Sequence, residues 1–416
     1  MKLARSPFAP DAFPKLPTVR GVTAATASRG FYAGQGETRD DVFLFAFEKG
    51  TSVSGVFTRS STASDDVEWC RDALQHGKGR ARALVVNSGN SNAFTGPKGA
   101  LKNAATRAAM MKALGIEAHE SFLAATGVIG EPLPDPNYIG AIVPELAQRL
   151  AVPDWEACSR AFMTTDTYPK GAGATLSLAG KDVAISGIAK GSGMIAPNMA
   201  TMLAYVFTDA AISPDLLQRL TAKIADTTFN AITVDGDTST SDTFQIFATG
   251  ASGIDIIERE DDPRFGALSE ALVRVSLDLA HQIVKDGEGA QKFIAIRVTG
   301  AHNDTSARKA AASVANSPLV KTALAAGDAN WGRVVMAVGK SGEALDHRKL
   351  AIWFGDHKVA ENGARAEDYD EAEASAHCAG KELDITVDLG VGAGEAVVYT
   401  CDLTHAYIDI NGAYRT

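Results

Sequence analysis

Cysteine is scarce: Cys70, Cys158, Cys378 and Cys401 are the four in 416 residues, far apart and without a C-x-x-C pair. That spacing offers neither a disulfide framework nor a thiolate metal knuckle, so buried free thiols in a reducing compartment are expected. No run approaches the roughly 20 apolar residues that span a bilayer, which excludes a membrane helix. The opening MKLARSPFAPDAFPKLP has early basic residues but no apolar stretch behind them, and does not read as a secretory signal. Cytoplasm is the expected location. Positive charge is also short: 40 Lys and Arg against 50 Asp and Glu give a net charge of −10. Nucleic acid is therefore not an expected partner, because phosphate binding needs a clustered positive surface.

Several chemical signatures are missing too. There is no G-x-S-x-G elbow for a serine hydrolase. The eight histidines are scattered, with Asp346-His347 and Asp356-His357 the nearest thing to ligand pairs. No H-x-x-x-H or carboxylate–histidine set is found at metal spacing, so no metal is expected.

What remains is ordinary globular material, 45% hydrophobic and 22% charged, long enough for one large α/β unit or two ordinary domains. Strand-like runs rich in β-branched residues lie at 41–47, 51–58, 81–87, 182–190, 202–208, 242–250, 292–300, 382–389 and 396–404. Helical patterns cover 65–76, 98–114, 268–284 and an alanine-rich stretch at 306–326. Another follows Ser213-Pro214-Asp215, which supplies an N-cap, a first-turn proline and an early carboxylate. Helices come in blocks between hairpin-like strand pairs, which predicts a layered α+β sandwich and not a doubly wound parallel sheet. No repeat, low-complexity segment or compositional linker divides the chain.

The most unusual stretch is KGSGMIAPNMATMLAYVFTDA at 190–210, where a strand ends at Lys190 and an apolar strand begins after Thr201. Three readings stay open on these residues alone. Gly191 and Gly193 can simply shape a surface hairpin loop. A phosphate-cradling loop fits poorly, for the P-loop order of glycine and lysine is absent and no helix start follows. In the third reading the chain cuts itself between Ala200 and Thr201. The freed α-amine, with a reference pKa of about 7.7–8.0, then serves as base for the Thr201 hydroxyl.

This segment resembles the processing site of the ornithine acetyltransferase family, the bifunctional glutamate N-acetyltransferases of arginine biosynthesis. The resemblance extends over nearly the whole chain. It includes VNSGNSNAFTG (86–96), AATGVIG (124–130), MTTDTYPK (163–170), TVDGDTSTSDT (233–243), VKDGEGAQKF (284–293), GDANWGR (327–333) and DINGAYRT (409–416). It implies an α/β/β/α-type sandwich, self-processed as an N-terminal-nucleophile enzyme into an alpha chain, 1–200, and a beta chain, 201–416. The implied reaction is ping-pong transfer of acetyl from N-acetylornithine to glutamate through an acetyl-Thr201 ester, with Thr126 and Gly127 as the oxyanion-hole pair. Thr165, Lys190, Thr201, Glu288, Asn411 and Thr416 match the family's substrate-binding positions. Lys190 suits an α-carboxylate and Glu288 a cationic amine. Taken without the resemblance, Lys190 reads as a solvated strand end and Glu288 as an exposed turn carboxylate.

The family assembles two alpha and two beta chains, and some members also accept acetyl-CoA as a substrate. No metal or organic cofactor is implied for the ornithine-dependent reaction. The chain departs from the family pattern at Phe94, where a smaller residue is common, and at Gln291, where threonine is common. An alternative enzymatic outcome is a self-cleaving N-acyl amino-acid hydrolase, since similar self-cleavage occurs in an aminopeptidase family. A non-catalytic binder of the same metabolites is disfavoured by the joint presence of Thr126, Gly127, Lys190, Thr201 and Glu288. Because Asn411 and Thr416 lie in the last six residues, deleting 411–416 should cripple transfer and leave chain cleavage largely intact. Unchanged transfer kinetics in the truncated protein would remove both residues from the site.

Overall fold

The computed structural model describes residues 3–35, 39–196 and 202–413. The expected strands are present as Val42–Phe47, Ser52–Phe57, Ala83–Asn87, Lys181–Lys190, Leu203–Thr208, Thr243–Ala248, Phe293–Ala301, Glu382–Asp388 and Gly394–Cys401. Among those that the sequence pattern does not announce, Val22–Ala27, Ser121–Ala125 and Lys170–Leu178 belong to the two stacked sheets, and Ala351–Phe354, His357–Glu361 and Ala364–Arg365 to a third. The first three are alanine- or glycine-rich, so their own β-propensity is low. What holds them is ladder pairing with a neighbour, as in the antiparallel register of Lys170–Leu178 against Lys181–Lys190.

Two sheets stack face to face. One has the order Val22–Ala27, Val42–Phe47, Ala83–Asn87, Ser121–Ala125. The other has the order Ser52–Phe57, Thr243–Ala248, Leu203–Thr208, Lys181–Lys190, Lys170–Leu178. Strand alternation sorts the side chains: Phe43, Phe45 and Phe47 turn inward against Tyr205, Phe207 and Phe247, while Val42 and Leu44 turn outward. The outer face of the first sheet is covered by the helices Pro97–Leu114 and Val143–Gln148, through Met110, Val143 and Leu146. The outer face of the second is covered by Pro214–Thr227 and Phe265–Lys285, through Leu217, Leu220, Leu272 and Leu279. The result is the expected α+β sandwich, with layers in the order α/β/β/α. Ser213 and Pro214 start their helix as anticipated, but the Ser213 hydroxyl takes no capping bond.

Residues beyond 293 build a third, mixed sheet in which Glu382–Asp388 runs parallel to Phe293–Ala301, with Gly394–Cys401 antiparallel on its other side. Its apolar face has a core of its own under Asp304–Ala315, Pro318–Ala325, Trp331–Gly339 and Glu371–Cys378. The single helix expected over 306–326 is two. Asp304–Ala315 stops, Ser317 caps a new helix by accepting from the Val320 N–H, and Pro318 opens it. A proline has no N–H to continue the first helix and clashes with the turn before it.

All four cysteines are free and buried. Burial pushes the Cys70 thiol up to about 12 and the Cys378 thiol to about 11, which leaves neither as a ready nucleophile. No described helix is long and apolar enough to cross a membrane. The centre of the sandwich is aromatic: Phe207 lies 4.6 Å from Phe45, 5.2 Å from Trp155 and 5.6 Å from Phe247, ring to ring. Phe207→Ala should therefore cost about 3–5 kcal/mol of stability, read from the denaturant midpoint. An unchanged midpoint would mean that the two sheets do not depend on this contact.

Candidate active site

The site forms where strand ends of the two stacked sheets meet. Thr126 follows the last residue of Ser121–Ala125, and Lys190 is the last residue of Lys181–Lys190. Lys190 Nζ donates to Thr126 Oγ1 at 3.0 Å across this junction. The Thr126 oxygen is thus an acceptor, and its own O–H remains available as a donor. Gly127 has a φ of +128°, and a Cβ there would stand 2.4 Å from the Gly89 carbonyl carbon. Only glycine allows so close a backbone approach, which turns the chain at the pocket wall. Among the described residues the Gly127 N–H meets no acceptor. Thr126 and Gly127 therefore present the hydroxyl and backbone donors that an oxyanion hole needs.

Thr126, Gly127, Thr165, Lys190, Glu288 and Asn411 line one pocket, with Thr164 beside Thr165. Ser239, Thr240 and Ser241, which the sequence reading did not single out, complete part of the wall. Lys190 is no solvated strand end, being 3% exposed, and Glu288 at 7% is no exposed turn carboxylate. Burial pushes the Lys190 ammonium below its ordinary range, opposed by the Asp166 carboxylate. Burial likewise raises Glu288, opposed by hydrogen bonds from Asn411 and Thr165. Asn411 Nδ2 donates to Glu288 Oε2 at 2.6 Å, so the C-terminal helix His405–Ala413 does fold back onto the pocket. Gly193 makes room for Glu288, since a Cβ there would lie 2.4 Å from Glu288 Oε2.

Beneath the pocket lies a buried charge group that sequence reasoning missed. Lys170 Nζ sits 2.6 Å from both Asp166 Oδ1 and Asp286 Oδ2, with all three side chains inaccessible. Asp166 Oδ1 also accepts from the Gly191 N–H at 2.7 Å. Although desolvation opposes it, the Lys170 and Lys190 ammoniums hold the Asp166 carboxyl well below the usual range. The available signal was the i,i+4 pair inside MTTDTYPK, with Asp286 in VKDGEGAQKF.

The TVDGDTSTSDT segment supplies two further carboxylates. Asp235 accepts from the Met194 and Ile195 N–H groups at 2.6 and 2.9 Å, and Asp242 from the Met202 N–H at 2.9 Å. They hold the chain on either side of residues 197–201. Ala200, Thr201 and Thr416 themselves lie outside the described residues. Of the two departures from the family pattern, Phe94 is 79% exposed. The Gln291 N–H is held by Asp402 Oδ1 at 2.8 Å.

The Asp242 carboxyl is fully buried, with one oxygen unpartnered among the described residues. Burial raises it well above the carboxylate range. The folded chain therefore keeps this proton at a pH where the unfolded chain has released it. The associated stability is complete below the unfolded value of about 3.9 and is lost as pH rises through the folded one. Asp242→Asn, compared with its parent in a Thr201→Ala background, should lose less stability between pH 4 and pH 7.5. Parallel urea midpoints across that range would show that folding does not raise the proton affinity of Asp242.

Comparison with known proteins places these features in a family. The ArgJ family model matches residues 25–416. The arginine biosynthesis bifunctional protein ArgJ of Agrobacterium fabrum is 51% identical over 419 residues, covering 100% of both chains. That of Bradyrhizobium diazoefficiens is 52% identical over 419 residues, again covering 100% of each. A crystal structure of the protein of that name from Bacillus halodurans is 38% identical, spanning 50% of this chain and 96% of its own, with a TM-score of 0.48. The chain belongs to the ArgJ family.

Proposed function

We propose that this chain moves an acetyl group from N-acetylornithine to glutamate, giving ornithine and N-acetylglutamate in arginine biosynthesis, after cutting itself between Ala200 and Thr201. One observation carries the chemistry: a buried cation, a free hydroxyl and backbone donor pair, and a buried carboxyl face a single pocket. Met202, directly after Thr201 in the chain, is held by Asp242, which anchors the start of the new beta chain.

In the first half-reaction the Thr201 hydroxyl attacks the acetyl carbonyl and gives its proton to the α-amine of the same residue. The Thr126 O–H and Gly127 N–H stabilise the oxyanion; one such donor is commonly worth about 100- to 1000-fold in rate. The proton passes to the leaving ornithine nitrogen as the carbon–nitrogen bond breaks, and an acetyl ester remains. In the second half-reaction the neutral amine of glutamate attacks that ester. N-acetylglutamate leaves, and the proton returns to the threonine oxygen. Lys190 holds Thr126 in its donor role and offers positive charge to a substrate carboxylate, while Glu288 and Asn411 receive the substrate side chain.

On this proposal no metal or organic cofactor takes part, so chelators leave transfer unchanged, and acetyl-CoA acts only as an alternative donor substrate. The working form is two alpha and two beta chains in the cytoplasm. Freshly purified protein should give two chains by denaturing electrophoresis and intact mass, the second beginning at Thr201, and Thr201→Ala should stay uncut and inactive. Supplied with N-acetylornithine and glutamate, the processed enzyme should form N-acetylglutamate. Acetate in its place would make it a hydrolase; a single uncut chain that nonetheless transfers would overturn the scheme.

A further inference from the structure

On the flank of the sandwich, Asp72 and His76 share one face of the helix Asp65–His76, four residues apart. The short turn Ala118–Glu120 brings His119 to the same point. His76 Nδ1 lies 2.9 Å from Asp72 Oδ1, and His119 Nε2 lies 3.3 Å from Asp72 Oδ2. One ligand atom from each of the three residues falls within 4.8 Å of the others. The i,i+4 carboxylate–histidine pair is legible in the sequence and corrects the reading that no such set has metal spacing. His119, 43 residues further on, is brought in by the fold.

The surroundings hold these groups in place. The Trp69 indole N–H donates to the Ser121 carbonyl at 2.9 Å, and its ring stacks on His119 at 5.4 Å and 15°. The turn bearing His119 is tied by a reciprocal cap between Glu117 and Glu120. Gly77 lets that turn approach the helix end, since a Cβ there would stand 2.7 Å from the His119 carbonyl oxygen. All three ligand residues are about half exposed, so an ion can enter and water can complete its shell.

We propose that Asp72, His76 and His119 bind a divalent ion of the zinc class. Two imidazoles and one carboxylate suit zinc, copper or nickel better than the hard, all-oxygen cations. With metal–ligand bonds of about 2.0–2.2 Å, neighbouring ligand atoms of a tetrahedral ion stand roughly 3.3–3.5 Å apart; the three ligand atoms here already lie within 4.8 Å of one another, so small side-chain rotations would close the shell. An ion seated here clips the helix to the foot of the strand Ser121–Ala125, at the end away from Thr126. Its role is therefore to hold structure, with no part in acetyl transfer.

Titration calorimetry of Zn²⁺ into tag-free, chelator-treated protein should show one equivalent bound. Losing even a group behind a metal ligand costs about 10- to 100-fold in affinity, so His76→Gln and Asp72→Asn should each weaken binding by at least about 100-fold. Both positions are exposed enough for the variants to fold. Cu²⁺ should quench the fluorescence of Trp69, and Trp69→Phe should remove that part of the quenching. Binding that is absent, or equal in the parent and both variants, would leave the trio as a surface ion pair and overturn the assignment.

Discussion

The Lys170 ammonium, clasped between Asp166 and Asp286 with no access to water, is the contact on which the pocket rests. Taking three charges out of water is costly, and only good geometry offsets it. Here each ion pair is 2.6 Å long, and Asp166 Oδ1 gains a second donor from the Gly191 N–H. Loss of the lysine would strand two buried carboxylates, a change of the kind that costs about 3–5 kcal/mol. The group joins three segments far apart in sequence: the motif around residue 166, the loop after Lys190 and the turn carrying Glu288. Asp286 further binds the Thr167 N–H at 2.9 Å, and its carbonyl accepts from Ser192 Oγ at 2.8 Å. Glu288 is placed by the next link, its N–H donating to the Ser192 carbonyl at 3.0 Å.

The same economy of space governs the glycines of the pocket. Gly127 lies against the Gly89–Asn90 backbone and Gly193 against the Glu288 carboxylate. A methyl group at either point would push apart the elements that the buried charges draw together. Close packing and charge pairing thus act on the same few residues, and neither alone would bring the Thr126 hydroxyl, the Lys190 ammonium and the Glu288 carboxyl to one cavity.

How much of this the sequence revealed follows from which forces are local. Strands such as Val42–Phe47 and Leu203–Thr208 carry apolar side chains that name them without a partner. Ser121–Ala125 and Lys170–Leu178 do not, because what makes them strands is the neighbour they pair with. Pro318 marks a helix start in the sequence, but the alanines on both sides of it mask the break. Thr126, Lys190 and Glu288 were named through family resemblance, and as bare residues they looked like an ordinary turn, a strand end and a loop acid. Their burial is a tertiary fact. So is the meeting of His119 with His76, which no spacing rule could anticipate.

On the proposed reaction, one pocket must accept a cationic side chain in the first half-reaction and an anionic one in the second. A fixed carboxylate would favour ornithine and repel glutamate. Glu288 is not fixed in this sense: burial raises its proton affinity, while Asn411 and Thr165 stabilise its charged form. Opposite an ammonium it can accept as a carboxylate, and opposite a carboxylate it can hold a proton and donate. Asn411, bonded to it at 2.6 Å, carries an amide that can offer either polarity. Lys190 faces the complementary demand, for both substrates carry an α-carboxylate, and that anion draws a buried ammonium back toward its charged form. The pair thus keeps the invariant half of the substrate on a cation and its variable half on groups whose charge can follow the ligand.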